Sequence, residues 1–100
     1  MTFSEMTNSG KPVLVDFYAD WCAPCRAMKP VLENLKNKLK DDVQIYKIDV
    51  DQNPMLAERY QIRSIPTLML FQAGEPVWRK SGMASVTELE QVIQTNLVKS

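Results

Sequence analysis

Two cysteines, Cys22 and Cys25, are the only thiols of this 100-residue chain, and they are separated by two residues in the segment WCAPC. Thiols at this spacing can bind a metal, form a structural disulfide, cycle between dithiol and disulfide, or be buried as small apolar side chains. Structural zinc takes four Cys or His ligands, and the chain has two Cys and no His. A disulfide closing so short a loop restricts the unfolded chain very little. The spacing therefore favours a redox pair over a metal site or a structural bridge.

The cysteines lie between a predicted central strand and a predicted helix. Residues 13–19, VLVDFYA, include apolar residues at both odd and even positions, which is typical of a strand covered on both faces. Pro24 suits the first turn of a helix, in which apolar residues then recur at spacings of four, three and four: Met28, Leu32, Leu35 and Leu39. Chemistry collects where a parallel strand ends, and a helix N-terminus stabilises a thiolate. This position argues against an inert pair. It predicts Cys22 as the exposed nucleophile and Cys25 as the shielded resolving thiol.

Pro24, between the cysteines, has a predicted effect on their redox chemistry. It has no backbone N–H, so one amide that could bond to a Cys22 thiolate is missing. The chain also has no histidine that could place a positive charge beside the thiolate. A less stabilised reduced form is a better reductant. These residues favour disulfide reduction over strong oxidation.

The remaining elements alternate between helix and strand. The order is short α-β-α-β-α-β-β-α, which predicts an α/β fold with a parallel centre and an antiparallel edge, three layers (α/β/α) around about four strands. Pro30 should kink the second helix, and the methionines are read as packing residues. The length indicates one domain, residues 1–100. The other predicted helices cover 3–8, 54–60 and 85–97, and the other predicted strands cover 43–50, 67–72 and 76–81.

The composition excludes several classes of partner. Twelve basic and twelve acidic residues leave no basic footprint for nucleic acid and no polybasic patch for a membrane. No apolar run approaches the roughly 18–20 residues of a membrane span. The first residues, MTFSEMTNSGK, lack the charged start and apolar stretch of a secretory signal. We therefore expect a cytoplasmic protein, and we expect a monomer.

The segment Trp21-Cys22-Ala23-Pro24-Cys25 resembles the Trp-Cys-Gly-Pro-Cys motif of the thioredoxin family. The resemblance covers roughly residues 11–98. It implies the thioredoxin fold and a protein-disulfide reductase with no bound cofactor and no metal. It also implies two kinds of partner, which are disulfide-containing proteins and a flavin-dependent thioredoxin reductase that passes on electrons from NADPH. The matching segments are VDFYADWCAPCRAMKP, DVDQNP and YQIRSIPTLMLF, followed by Gly82.

Two departures from the family pattern carry predictions. Ala23 stands in place of glycine, and because any residue before proline avoids the helical region, we expect alanine to be tolerated with a small shift in redox poise. Little chain precedes Val13, so the family's N-terminal strand should be short or absent. That would weaken the protection of one sheet edge.

Asp16 is an acid in the middle of an apolar strand. A buried carboxylate is costly unless it has a partner or a task, and desolvation raises its pKa. In thioredoxins the matching aspartate lies beneath the resolving cysteine, so the resemblance gives Asp16 a role in proton transfer and makes Lys47 the residue that tunes it. The alternatives are a strand face that reaches water at Asp16 and an ordinary exposed lysine at Lys47.

The Ile65-Pro66 pair is the second part of the predicted site. X–Pro bonds are rarely cis in folded proteins, so the sequence alone predicts a trans bond. The resemblance instead implies a cis Pro66 that faces the cysteines and leaves the Ile65 backbone free to pair with an extended substrate. It also implies that Gly82 admits the substrate chain. Trp21, Pro24, Ile65 and Pro66 should then form an apolar contact patch.

Two other functions stay open at this point. The first is a thioredoxin-like periplasmic oxidoreductase, which a measured reduction potential would separate from a reductase. The second is a non-catalytic docking subunit, which would still bind its partner after both cysteines were replaced by serine.

Overall fold

Strand β1 (Val13–Tyr18) occupies the centre of the sheet, because its residues are apolar on both faces. The computed structural model describes residues 2–98. In it β1 pairs in parallel with β2 (Gln44–Asp49) and antiparallel with β3 (Thr67–Gln72), and β3 pairs antiparallel with β4 (Glu75–Ser81). The strand order is β2-β1-β3-β4, and within residues 2–98 no strand precedes β1. The predicted mixed four-stranded α/β fold is confirmed.

One face of the sheet is covered by helix α2 (Ala23–Leu39) and helix α4 (Val86–Val98). The apolar stripe predicted for α2 is buried here, since its four members are at most 5% exposed. This stripe packs, together with Leu89 and Ile93 of α4, on the β1 and β3 side chains that point to this face of the sheet. The buried β1 and β3 residues of this cluster are Leu14, Leu68 and Leu70, and Ile45 of β2 and Trp78 of β4 pack against it.

The opposite face is covered by helix α1 (Phe3–Thr7) and helix α3 (Pro54–Arg59). Its core contains the other parity of β1 and β3, with Phe17 and Phe71 fully buried. The rings of Phe3 and Tyr60 meet Phe71 edge-on, with centroids 5.4 and 5.5 Å away. Edge-to-face contacts of this kind add to the stabilisation from burial. This face is therefore an aromatic core.

The element boundaries lie within about one residue of those predicted. Strand β2 spans 44–49 where the sequence predicts 43–50, and α1 spans 3–7 where it predicts 3–8. Helix α2 continues through Pro30 as a single element of 17 residues. A short 3₁₀ turn, Lys40–Asp42, joins α2 to β2.

Candidate active site

The cysteine pair lies where β1 gives way to α2. Cys22 is the N-cap residue of α2, so its side chain stands beside the free amides of the first turn. The Cys25 backbone N–H donates to the Cys22 sulfur at 3.2 Å. Pro24 has no N–H, and the amide of Cys25 therefore supplies the hydrogen bond that reaches the sulfur. Ala23 and Pro24 themselves are exposed.

The structure joins Cys22 and Cys25 in a disulfide, with Cα atoms 5.2 Å apart. That separation is ordinary for a disulfide. The predicted contrast in exposure between the two cysteines is wrong in this state, because Cys22 is 4% and Cys25 3% exposed. Both pack with Ala19, and the bonded Cys22 sulfur faces Ile65. The helix start thus positions the pair, while residues distant in sequence cover it.

Asp16 is fully buried, which rules out a strand face that reaches water. Within the described residues neither carboxylate oxygen has a hydrogen-bond partner. Burial raises the pKa of Asp16 from its ordinary 3.8 to about 6, and the charge of Lys47 opposes the rise. By strand alternation Asp16 shares the face of Leu14, which α2 covers. A carboxylate with such a pKa can take up and release a proton near neutral pH.

Lys47 is the cross-strand neighbour of Asp16 in the parallel pair of β1 and β2. Its side chain is exposed, and its ammonium nitrogen lies 4.7 Å from the centroid of the Tyr18 ring. This is a cation–π contact. Lys47 is therefore a solvated lysine that also acts on Asp16 through its charge.

Ile65 and Pro66 stand directly against the disulfide. The Ile65–Pro66 bond is cis, and the Ile65 carbonyl oxygen lies 3.8 Å from the Cys22 sulfur. The Gly82 backbone N–H donates to the Pro66 carbonyl at 2.7 Å, so β4 reaches the same place. Gly82 has φ +101°, a conformation that favours glycine, and no atom lies within 4 Å of where a Cβ would project. The space beside Gly82 is open to another chain.

Trp21 is 69% exposed beside the cysteines, and its indole N–H donates to Asp51 at 2.8 Å. No local sequence pattern marks Asp51 as a partner of Trp21, although it lies in the segment DVDQNP. The prediction that the methionines serve packing is wrong for two of them, since Met55 is 86% and Met83 44% exposed. Met83 follows Gly82 directly in the sequence.

A cavity of about 230 Å³ lies beside Cys25. Its walls include three basic residues, Arg26, Lys29 and Lys47, and one acid, Asp20, whose main-chain carbonyl accepts a hydrogen bond from the Arg26 guanidinium at 2.7 Å. Positive charge favours a thiolate in such a place.

Within residues 2–98 no group of three or more His, Cys, Asp or Glu side chains is arranged to hold a metal ion. A cysteine pair bridged across the first turn of a helix, after a central strand that carries a buried acid, defines a dithiol–disulfide oxidoreductase.

Comparison with known proteins agrees with this class. The Thioredoxin family model matches residues 1–95. A thioredoxin-like protein of Synechocystis, slr0233, is 50% identical over 92% of this chain and 89% of its own length. The thioredoxin of Rickettsia bellii is 42% identical over 93% of this chain and 89% of its own. The chain belongs to the thioredoxin family, and Cys22–Cys25 is its redox-active pair.

Two further similarities extend this result. A solved structure of a mutant thioredoxin from Halobacterium salinarum superimposes with a TM-score of 0.84 at 41% identity, covering 92% of this chain and 80% of that one. A bifunctional thioredoxin reductase/thioredoxin of Mycobacterium leprae is 43% identical over 91% of this chain, which spans 21% of that protein. Among residues 2–98, no helix combines the length and apolarity needed to cross a bilayer.

Proposed function

We propose that this protein reduces the disulfides of other proteins. In the reduced form, the Cys22 thiolate attacks one sulfur of a substrate disulfide, and the other substrate sulfur leaves as a thiolate. The Cys25 thiolate then attacks Cys22, which releases the second substrate sulfur and closes the Cys22–Cys25 disulfide. Two electrons pass to the substrate, and the protein ends in the disulfide state described above.

Asp16 accepts the proton that Cys25 must lose before it attacks. The observations behind this role are the complete burial of Asp16, the absence of hydrogen-bond partners for its carboxylate in the described residues, and a pKa of about 6. A base whose pKa lies near the working pH is effective in proton transfer. Lys47 tunes this group through its charge.

The substrate chain binds across the apolar patch of Trp21, Pro24, Ile65 and Pro66. The Ile65 main chain pairs with the extended substrate, and Gly82 leaves it room. Support comes from the 69% exposure of Trp21 and the open space at Gly82. Ala23 and Pro24 set the redox poise, since they determine which amides reach Cys22.

A thioredoxin reductase returns the disulfide to the dithiol with electrons from NADPH, and the protein itself holds no cofactor. Support for this partner comes from the Mycobacterium leprae relative, whose name joins both activities in one polypeptide. We further propose that residues 1–100 form one domain that works as a monomer in the cytoplasm.

The observation that carries the proposal is the Cys22–Cys25 pair at the N-terminus of α2, with the Cys25 amide directed at the Cys22 sulfur. The test is reduction of insulin by dithiothreitol with and without the protein. Cys22→Ser should remove the acceleration, since it removes the nucleophile. Cys25→Ser should trap a mixed disulfide that a non-reducing gel displays.

Three results would contradict the proposal. A Cys22→Ser variant as active as wild type would rule out the nucleophile. A Cys25→Ser variant that traps no substrate would rule out the resolving role. A reduction potential at the oxidising end of the range for protein dithiols would indicate an oxidase instead.

A further inference from the structure

Strand β2 forms an open edge of the sheet, because within residues 2–98 no strand lies beyond it. Its residues are also less buried than those of β1, although Ile45, Tyr46 and Ile48 are apolar. Edge strands expose unpaired main-chain groups that can pair with another chain.

The register identifies which groups are unpaired. The Gln44 N–H donates to Pro12 at 3.0 Å, and the Val50 N–H donates to Tyr18 at 2.9 Å. Because bonding in a parallel ladder alternates along the strand, Gln44, Tyr46 and Ile48 direct both main-chain groups towards β1. Ile45 and Lys47 direct theirs away from the sheet.

This outward segment is closed at both ends by side chains of the protein itself. The Lys36 ammonium donates to the Val43 carbonyl at 3.1 Å, and the Asn53 side-chain amide donates to the Asp49 carbonyl at 3.0 Å. The open part of the edge is therefore short. It consists of the N–H and C=O groups of Ile45 and Lys47 together with the Asp49 N–H, which match a short added strand.

A groove of about 350 Å³ runs beside this edge, between β2 and α2. Leu32 and Ile45 supply apolar surface, and three lysines, Lys29, Lys36 and Lys47, face a single acid, Glu33. The groove thus carries net positive charge on a chain whose charges balance overall. Its chemistry suits an extended chain with acidic side chains.

We propose that the edge formed by Ile45 and Lys47 binds an extended acidic segment of a partner protein as a fifth strand. The partner's main chain pairs with Ile45 and Lys47, and its acidic side chains lie over the lysines of the groove. This surface does not include the patch of Trp21, Pro24, Ile65 and Pro66, but Lys29 and Lys47 line both the groove and the cavity beside Cys25.

Charge complementarity favours such a partner over a second copy of this chain. Antiparallel pairing of two β2 strands would bring the lysines of two identical grooves together, and like charges across strands are destabilising. Lysine on an edge strand also discourages pairing between copies. An acidic strand neutralises the same lysines.

Amide hydrogen exchange of the oxidised protein, read by NMR, tests the proposal. The probe is a blocked seven-residue peptide in which threonine and glutamate alternate, and the matched control replaces glutamate with lysine. At saturating probe the Ile45 and Lys47 amides should exchange at least about tenfold more slowly, since hydrogen bonds would then protect them. The lysine peptide should have no effect, and backbone N-methylation of the glutamate peptide should abolish its effect.

A charge reversal at the groove provides the second arm. Lys29→Glu should weaken binding of the glutamate peptide about fivefold, the size expected for one exposed charge contact. Arg59→Glu makes the same charge change on α3, across the sheet, and should leave binding unchanged. Unprotected Ile45 and Lys47 amides, or equal weakening by both variants, would overturn the proposal. Protection that rises with protein concentration without peptide would replace it with self-association.

Discussion

The two faces of the sheet bury different chemistry. The face under α1 and α3 is aromatic and apolar, with Phe71 held between the rings of Phe3 and Tyr60. The face under α2 and α4 is aliphatic but contains Asp16, a fully buried carboxylate without hydrogen-bond partners among the described residues. Burying such a group lowers the free energy of unfolding. The aromatic face therefore contributes stability, while the other face loses some stability to a buried acid that we propose serves the redox site.

The largest expected effect is on the aromatic face. Phe71→Ala should lower the free energy of unfolding by about 4 kcal/mol, since it removes a fully buried ring and leaves a cavity. Urea unfolding measures the loss, and insulin reduction per folded molecule should not change. Phe71→Leu, which keeps most of the volume, should lose only about 1 kcal/mol. If Phe71→Ala also slowed insulin reduction per folded molecule, the two faces of the sheet would not have separate roles.

The second prediction is a gain in stability, and it concerns Asp16 on the face under α2 and α4. The pKa of Asp16 is raised from 3.8 to about 6, so folding favours the protonated form. The stability that Asp16 contributes through this raised pKa is fully present below about pH 4 and is lost as the pH rises through about 6. Asp16→Asn should therefore stabilise the protein by about 3 kcal/mol at pH 8 and slow its release of reduced substrate.

Unfolding free energies measured from pH 4 to pH 8 check this prediction. The wild type should lose stability across the window relative to Asp16→Asn. Asp20→Asn removes an exposed acid near the same site and should follow the wild-type pH dependence. Parallel curves for wild type and Asp16→Asn would show that Asp16 does not titrate as described.

The smallest effect concerns the interaction between an exposed and a buried residue. The charge of Lys47 lowers the pKa of Asp16 against the effect of burial, so Lys47→Gln should raise that pKa further. Added salt should reduce the difference, because Lys47 is solvated. A carboxyl carbon titration by NMR measures it, and a lower pKa in Lys47→Gln would contradict the assignment.

Local patterns in the sequence predicted most of the fold. Apolar residues at both odd and even positions located β1, and the repeat from Met28 to Leu39 located α2, because both patterns are set by the period of the element itself. The spacing of Cys22 and Cys25 likewise identified the redox pair. These features need only neighbouring residues to be recognised.

The parts of the site that could not be predicted from the sequence depend on distant residues. Cys22 is covered because Ile65 lies against it, and no local pattern contains that contact. The hydrogen bond from Trp21 to Asp51 crosses from one loop to another in the same way. The cis bond before Pro66 was implied by the family resemblance alone, because the dipeptide itself favours trans.

The position of β1 in the sheet has a consequence for the folding rate. The hairpin of β3 and β4 can form from neighbouring residues, but Val13 pairs with Phe71, so most of the chain must be closed into a loop before the central strand gains its second neighbour. The chain loses conformational entropy when this loop closes, before the long-range contacts between β1 and β3 contribute any stability. We therefore expect the pairing of β1 with β3, rather than the formation of the local hairpin, to limit the folding rate.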